Sequence, residues 1–529
     1  GAVTLLLFQA CRRDGRLRPA ARLWLMATVL GFIAAVGLSE APAPAGAAAA
    51  VAYGLGLGRF NARYTARSRL PESAGIRTGA TAWPRGIRTS GQGERSVRLE
   101  AGCRAAATAG VGDPGPGRPA ASRVPVVISG FYGPGNTGDE AILEVLLGLL
   151  RRRGYRDITV LSTRPEHTAR RHGVKSVYRG WRRHWLAKAR ALLRAGVFIS
   201  GGGGLLQDTT PTFFLKGPVP YYLLIATWAR LAGCWVLFLG QGVGPLRGRW
   251  TRWLTRHLAD YADVIAVRDA ESLAVLDDVG VIRPPRRLLA DFVFAAPPPD
   301  PARAARLVAA EGLRPGARRV VVSVRTWTGQ DRFFPELAAF LADLLVHRPD
   351  LDVVLVPMEG DLDRMAGEQL AAQVVTFLDG TGLREGGAEA DRCSAGPSAS
   401  EPTDPRRRLH VLGTGYEPAD LEALVASAHV AVGMRLHFLL FAARAGVPVL
   451  ALNYDPKVAA AMRRLGAERY VFELDRVRAQ DLRAALAEVE RDRERIGEAL
   501  RRAAAALAPL AAANLDYVDA AARRITGEA

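Results

Sequence analysis

From Val124 onward, short apolar runs alternate with stretches of helical periodicity, and the alternation occurs in two series. The first has strand-like runs at 124–129, 158–162, 197–200, 235–239, 264–267 and 288–294. "AAPPPDP" (295–301) then breaks the chain with prolines that neither a helix interior nor an inner strand accepts. The second series has runs at 320–325, 352–357, 410–413, 429–433, 447–453 and 470–473. Near-continuous apolar strands covered by helices imply parallel sheets buried on both faces. The fold class expected is therefore α/β, with two doubly wound Rossmann-like domains at 124–294 and 302–525. Within the second, 379–407 is polar and turn-rich and reads as a disordered insertion.

The residues before Val124 have another character. Residues 1–60 form an apolar extension, in which 23–38 is uncharged between Arg22 and Glu40. That run is shorter than the roughly 20 residues needed to cross a bilayer upright. Two readings stand: a membrane-associated hairpin, as at the tail of a larger membrane protein, or a disordered or wrongly translated leader. Starting at Gly1, the chain reads as processed or as a fragment. It does not read as a signal peptide, because Arg12, Arg13, Arg16, Arg18 and Arg22 follow an earlier apolar stretch. Residues 61–123, rich in Arg, Gly, Ala, Ser and Pro without a sustained period, have linker composition.

The formal charge of +19 rests almost wholly on arginine, since lysine occurs only at 175, 188, 216 and 457. Such a balance suits an anionic membrane surface, nucleic acid, or phosphorylated and carboxylated substrates, and it is equally what the base composition of a gene would leave behind. Nucleic acid fits least, because the basic stretch lacks interleaved aromatics and any known module. Cys11, Cys103, Cys234 and Cys393 lie far apart, which argues against a disulfide framework and suits a reducing compartment. No HExxH, CxxC or paired-histidine spacing points to a metal, and no cofactor is expected.

Ligands of open α/β sheets bind beyond the carboxyl ends of the strands, so the chemistry is sought in the cleft between the domains. "ISGFYGPGNTGDEAIL" (128–143) follows the first strand with Gly130, Gly133, Gly135 and Gly138, then Asp139 and Glu140 at a helix start. Bare backbone can approach a ligand closely, and Asn136 and Asp139 suit a helix N-terminus; an ordinary tight turn with an N-cap explains the same residues. "ISGGGGLLQD" (199–208), with Gly202, Gly203 and Gln207, and "LGQGVGPL" (239–246) follow strands in the same way. "VGMRLHF" (432–438) sets Arg435 and His437 between a strand and a helix, where an anion is attracted and a proton can be exchanged. Arg325 and Lys457 stand at further strand ends, and Arg268 precedes a helix in "VRDAES".

Taken in order, "GFYGPGNTGDEAI", "ISGGGGLLQD", "GQGVGPL", "VRDAES" and "GMRLHFLLFAARAGVPVLALNYDPKV" resemble the polysaccharide pyruvyl transferases, most closely the cell-wall branch that prepares polysaccharide for S-layer attachment. The resemblance covers about 124–525. It implies a glycosyltransferase-B-like fold and transfer of a pyruvyl group from phosphoenolpyruvate to two hydroxyls of one sugar, an N-acetylmannosamine unit of a cell-wall polysaccharide or its lipid-linked precursor, giving a cyclic ketal. On that reading Arg435, Arg325 and Lys457 bind the donor's phosphate and carboxylate, His437 supplies a proton, and Asp139 or Glu140 accepts protons from the sugar. Asn136, Gly138, Gly202, Gly203, Gln207 and Arg268 complete the binding surface. The expected location is the cytoplasm, at the inner face of the membrane, with the membrane surface as a further partner. The rival readings are a nucleotide-sugar-dependent glycosyltransferase of the same fold and a non-enzymatic, membrane-tethered binding module.

Overall fold

The computed structural model describes residues 124–180, 184–208, 217–380 and 404–528, and two short paired strands at Arg12–Arg13 and Arg16–Leu17. The apolar run 23–38 and the linker 61–123 lie outside the described residues. Among the described residues, no helix is long and apolar enough to cross a membrane.

The first sheet contains β1 (Val126–Ser129), β2 (Ile158–Ser162), β3 (Lys175–Tyr178), β4 (Val197–Leu206), β5 (Trp235–Val243), β6 (Val264–Val267) and β7 (Arg286–Leu288). They pair in the order 3-2-1-4-5-6-7, all parallel. The intervening helices are α1 (Thr137–Arg152), α2 (Pro165–His172), α3 (Trp185–Arg194), α4 (Pro218–Leu231), α5 (Arg249–Leu258) and α6 (Ala270–Val279). Both faces of this sheet are covered. Val126 and Ile128 pack into one apolar cluster and Val127 into another, as the two-residue period of a strand dictates.

After α7 (Pro301–Ala310), the second sheet contains β8 (Arg318–Ser323), β9 (Leu351–Leu355), β10 (Leu409–Val411), β11 (Val430–Gly433), β12 (Val449–Asn453) and β13 (Val471–Glu473). Their order is 10-9-8-11-12-13, again parallel throughout. Helices α8 (Gln330–His347), α9 (Gly360–Gly380), α10 (Pro418–Ala426), α11 (Leu436–Ala445), α12 (Pro456–Arg464) and α13 (Ala479–Arg491) surround it. The chain thus has the two doubly wound Rossmann-like domains that its apolar pattern implies.

Several boundaries differ from those read from the sequence. The run 288–294 is not a strand: β7 ends at Leu288, and Phe292–Ala295 is a 3-10 turn capped by Asp291, whose side chain accepts from Val293 N. β3 has no strong apolar signal, being an edge strand with an exposed lysine and half-buried neighbours, and sequence periodicity passes over it. The insertion expected at 379–407 overlaps described elements at both ends, and the remainder, 381–403, lies outside the described residues. α9 continues to Gly380, and Asp404 caps a turn at Pro405–Arg408.

The last helix, α14 (Arg493–Thr526), leaves the second domain and packs on the first. Asn514 Oδ1 accepts from Gly240 N at 3.1 Å and its Nδ2 donates to Ala290 O at 3.2 Å, while Tyr155 and Arg153 both donate to Asp519. A second tie runs through backbone alone: Thr137 N donates to Met358 O at 2.8 Å, beside an antiparallel bridge between Asn136 and Glu359. That seam lies at the edge of the interdomain cleft.

Candidate active site

In each sheet the strand order reverses once, between β1 and β4 in the first and between β8 and β11 in the second. Loops diverge at such points and leave a crevice. Here the two crevices face one another and form a single cleft of about 430 Å³. Asn136, Gly138, Asp139, Gln207 and Arg268 line it from the first domain, and Arg325, Glu359, Arg435, His437 and Lys457 from the second.

The glycine-rich segments have mixed duties. Asn136 caps α1, its Oδ1 accepting from Gly138 N and Asp139 N at 3.1 and 3.2 Å. Residues 201–204 and 240–242 are not loops beyond the strands but belong to β4 and β5. In β4 this bareness lets α1 lie directly on the sheet: a side chain at Gly202 would meet Ile142 at 2.6 Å, and one at Gly203 would meet Asp139 Oδ1 at 2.5 Å. Both residues also have positive φ. Gly202 therefore lies under the helix rather than on the cleft wall, whereas Gly203 makes room for the Asp139 carboxylate.

Asp139 is partly buried, and its pKa is pushed up to about 6. Burial is the main cause, only partly offset by His437 and Arg268. His437, on the first turn of α11, presses on the backbone of Gly138 from the opposite domain. Its Nε2 lies 3.5 Å from Asp291 Oδ2. Asp291 also accepts from Arg268 Nη1 at 2.8 Å. Burial opposes the charge on Asp291, but His437 and Arg268 outweigh it and hold the carboxyl well below the ordinary range. Asp139, His437, Asp291 and Arg268 thus form a row of polar side chains that crosses the domain boundary. Asp291 was not among the residues singled out from sequence, because a carboxylate inside an apolar run gives no local signal of its partner.

The arginine expected to grip an anion is already occupied. Arg435 donates through Nε to Asp363 Oδ2 at 2.8 Å and through Nη2 to Asp363 Oδ1 and Glu359 Oε2. Burial alone would lower its pKa; Asp363 and Glu359 raise it and keep the guanidinium charged. Arg325 differs. It lies over the rings of Trp327 and Tyr454 at 5.4 and 5.6 Å, and its buried Nε has no hydrogen-bond partner among the described residues. Lys457 Nζ is 3.3 Å from Asp455 Oδ2 and 5.4 Å from the Tyr454 ring. Helix α11 begins at this cleft without a side-chain cap, which adds positive potential.

Glu140 does not line the cleft. It is buried behind the glycine loop, where its Oε1 accepts from Gly133 N at 2.6 Å. Burial raises its pKa and that hydrogen bond works against the rise, so its visible task is to fix the loop. One further cation lines the cleft unannounced by any motif: Arg179, just past β3, stacked near Phe131, Tyr221 and Tyr222. Among the described residues, no cluster of histidine, cysteine and carboxylate side chains could hold a metal ion.

Two Rossmann-like lobes closing on one polar cleft define the glycosyltransferase-B-like class of fold. A family profile described as polysaccharide pyruvyl transferase matches residues 136–456, and the chain belongs to that family. No curated protein matches it by sequence. Among solved structures, a glycosyltransferase from Rickettsia africae is similar at 10% identity and a TM-score of 0.49, over 77% of this chain and 100% of its own. Anabaena Alr3699/HepE in complex with UDP and glucose is similar at 12% identity and 0.47, over 74% of this chain and 98% of its own. UDP-GlcNAc 2-epimerase from Neisseria meningitidis is similar at 11% and 0.47, over 75% and 99%.

Proposed function

We propose that the chain transfers the pyruvyl group of phosphoenolpyruvate to two hydroxyls of one sugar, forming a cyclic ketal and releasing phosphate. The acceptor in this reading is an N-acetylmannosamine unit of a cell-wall polysaccharide or its lipid-linked precursor. The ketal then serves S-layer attachment, and the reaction takes place at the cytoplasmic face of the membrane. The observation that supports it most is the meeting, in one cleft, of a cationic site, in which Arg325 Nε has no partner among the described residues, with a two-sided proton relay. Arg325, Lys457 and the uncapped start of α11 supply the first; Asp139 and His437 supply the second.

The chemistry follows from these parts. The donor's phosphate and carboxylate lie against Arg325, Lys457 and the α11 N-terminus. His437, whose Nε2 lies 3.5 Å from Asp291 Oδ2, delivers a proton to the methylene carbon, and positive character develops at C2. Asp139 takes the proton of the first sugar hydroxyl as its oxygen bonds to C2. The C2–O bond to phosphate breaks, and the second hydroxyl closes on C2, its proton leaving with the phosphate. Arg268 keeps Asp291 ionised throughout, and Arg435 holds the β11–α11 connection by its carboxylate pairs rather than gripping the donor.

Phosphate release from phosphoenolpyruvate, measured with a panel of N-acetylhexosamine acceptors, tests the reading. Release that depends on acceptor and is lost in His437→Ala is the expected result. Release of nucleoside diphosphate from a UDP- or GDP-sugar, with phosphoenolpyruvate inert, would replace it with the glycosyltransferase reading.

A further inference from the structure

Helix α12 starts on the donor side of the cleft and ends against the other domain. Lys457 stands in its first turn, and its nine residues span about 13 Å. In its last turn Arg463 pairs with Glu271, and Arg464 Nη1 donates to Arg268 O. Both acceptors belong to the first domain, where β6 passes into α6. Arg464, Lys457, Arg268, Asp269 and Asp291 meet around a void of about 20 Å³ at this seam.

The two arginines differ in kind. Arg463 is exposed and Glu271 partly so, and a pair of that sort contributes little to stability. Arg464 is half-buried, and no carboxylate forms an ion pair with it among the described residues. Burial lowers its pKa, against the longer-range pull of Asp269, Asp291 and Glu271. A guanidinium drawn from water without a close counter-ion is costly, so the strength of the seam does not account for it. What it reaches is the peptide from which the Arg268 side chain extends.

That peptide is held from two sides. Arg268 N donates to Gln241 O at 2.9 Å within the first domain, and Arg268 O accepts from Arg464 across the seam. The side chain then passes bare Gly242, where a β-carbon would meet Nη2 at 2.8 Å, and its Nη1 donates to Asp291 Oδ2 at 2.8 Å. Asp291 in turn faces His437. The second domain therefore meets this row twice, at His437 on one end and at Arg464 behind Arg268 on the other. Resting on the pyruvyl-transfer reading, we infer that Arg464 is a positioning residue: from the second domain it sets Arg268, and through it Asp291, so that the proton-transfer row comes into register only when the domains are closed. Lys457 lies on the same short helix, so the donor-binding end and the register-setting end move as one body.

The test uses the full chain with Arg464→Met, Arg464→Lys and Arg463→Ala. Methionine fills much of the space without a charge, so Arg464→Met should melt no lower than the parent while kcat falls about 10- to 100-fold. The KM of phosphoenolpyruvate should stay near the parent value, because Arg325 and Lys457 are untouched. Burial raises the pKa of Asp139, His437 and Arg268 oppose the rise, and Glu140, Glu359, Tyr132 and Tyr222 also lie near it. A displaced Arg268 therefore moves the inflection near pH 6 upward, which a loss of stability alone would not do. Lysine keeps a donor for the Arg268 carbonyl and should recover part of the rate and the profile, whereas Arg463→Ala should leave both unchanged. Parental turnover in Arg464→Met, a loss confined to KM, an unmoved inflection, or an equal effect in Arg463→Ala overturns the inference. Carboxyl NMR of aspartate-labelled protein follows Asp139 whatever the reaction is. Equal titration of Asp139 in the parent and Arg464→Met sinks the Arg464 role alone. Absence of phosphate release from the parent sinks pyruvyl transfer, and an upward shift of Asp139 in Arg464→Met would still uphold the positioning.

Discussion

The imidazole of His437 lies so close to Gly138 that a β-carbon at that position would fall well inside contact distance of Nδ1. Each residue occupies the first turn of a helix, α1 in one domain and α11 in the other. Two helix starts therefore converge on one point, and both direct positive potential into the cleft.

Gly138→Ala tests that contact. Gly138 has no positive φ, and alanine favours a helix by about 1 kcal/mol over glycine, so α1 itself has no reason to unfold. The added methyl must displace His437 or spread the domains. Turnover is expected to fall at least about 100-fold, the scale set by a misplacement of about 1 Å, while the circular dichroism spectrum stays that of the parent. Wild-type turnover in this variant would show that the His437 position is immaterial.

Asp139 gives a pH signature with a definite sign. Its folded pKa, about 6, lies above the usual carboxylate value, so the folded protein binds this proton more tightly than the unfolded chain. Its contribution to stability is present below the unfolded value, is lost as pH rises to about 6, and changes no further beyond that. Asp139→Asn should accordingly raise the melting temperature at pH 7.5 by a few degrees, on the order of 1 kcal/mol, and leave it nearly unchanged at pH 4. The same substitution should remove an inflection near pH 6 from the rate profile. A lower melting temperature at pH 7.5 would contradict the burial argument.

Arg435 and Arg325 should separate by readout. Arg435→Lys loses the forked grip on Asp363, a carboxylate buried to 2% exposure, and is expected to cost about 3 kcal/mol in denaturant unfolding. Arg325→Ala frees no buried carboxylate and should raise the KM of phosphoenolpyruvate about 10- to 100-fold with little change in stability. The reverse assignment of the two effects would mean that Arg435 leaves its carboxylates to meet the donor.

The alternation of apolar runs made both sheets legible, and the glycine and Arg-Leu-His segments marked their switch points. β3 escaped because an edge strand with an exposed lysine need not be apolar. The glycines of β4 and β5 look like ligand loops in a linear reading, yet bare backbone also serves where a helix must lie flat on a sheet, and Ile142 is the residue it accommodates at Gly202. Asp291, Asp363 and Arg179 could not be found from spacing, since their meaning depends on partners far along the chain: His437 for Asp291, Arg435 for Asp363 and the rings of Phe131, Tyr221 and Tyr222 for Arg179. Arg435 shows the converse. Its motif was visible, but the two carboxylates that occupy it come from α9 and the loop before it, elements with no motif of their own.

The return of α14 to the first sheet bears on how the molecule is made. Gly240, Tyr155 and Arg153 emerge from the ribosome early, yet the side chains that complete their bonding, Asn514 and Asp519, are translated long after β7 is finished. The first lobe must wait, half-clothed, through synthesis of the second, which makes that interval the time at which the nascent chain most needs protection from aggregation.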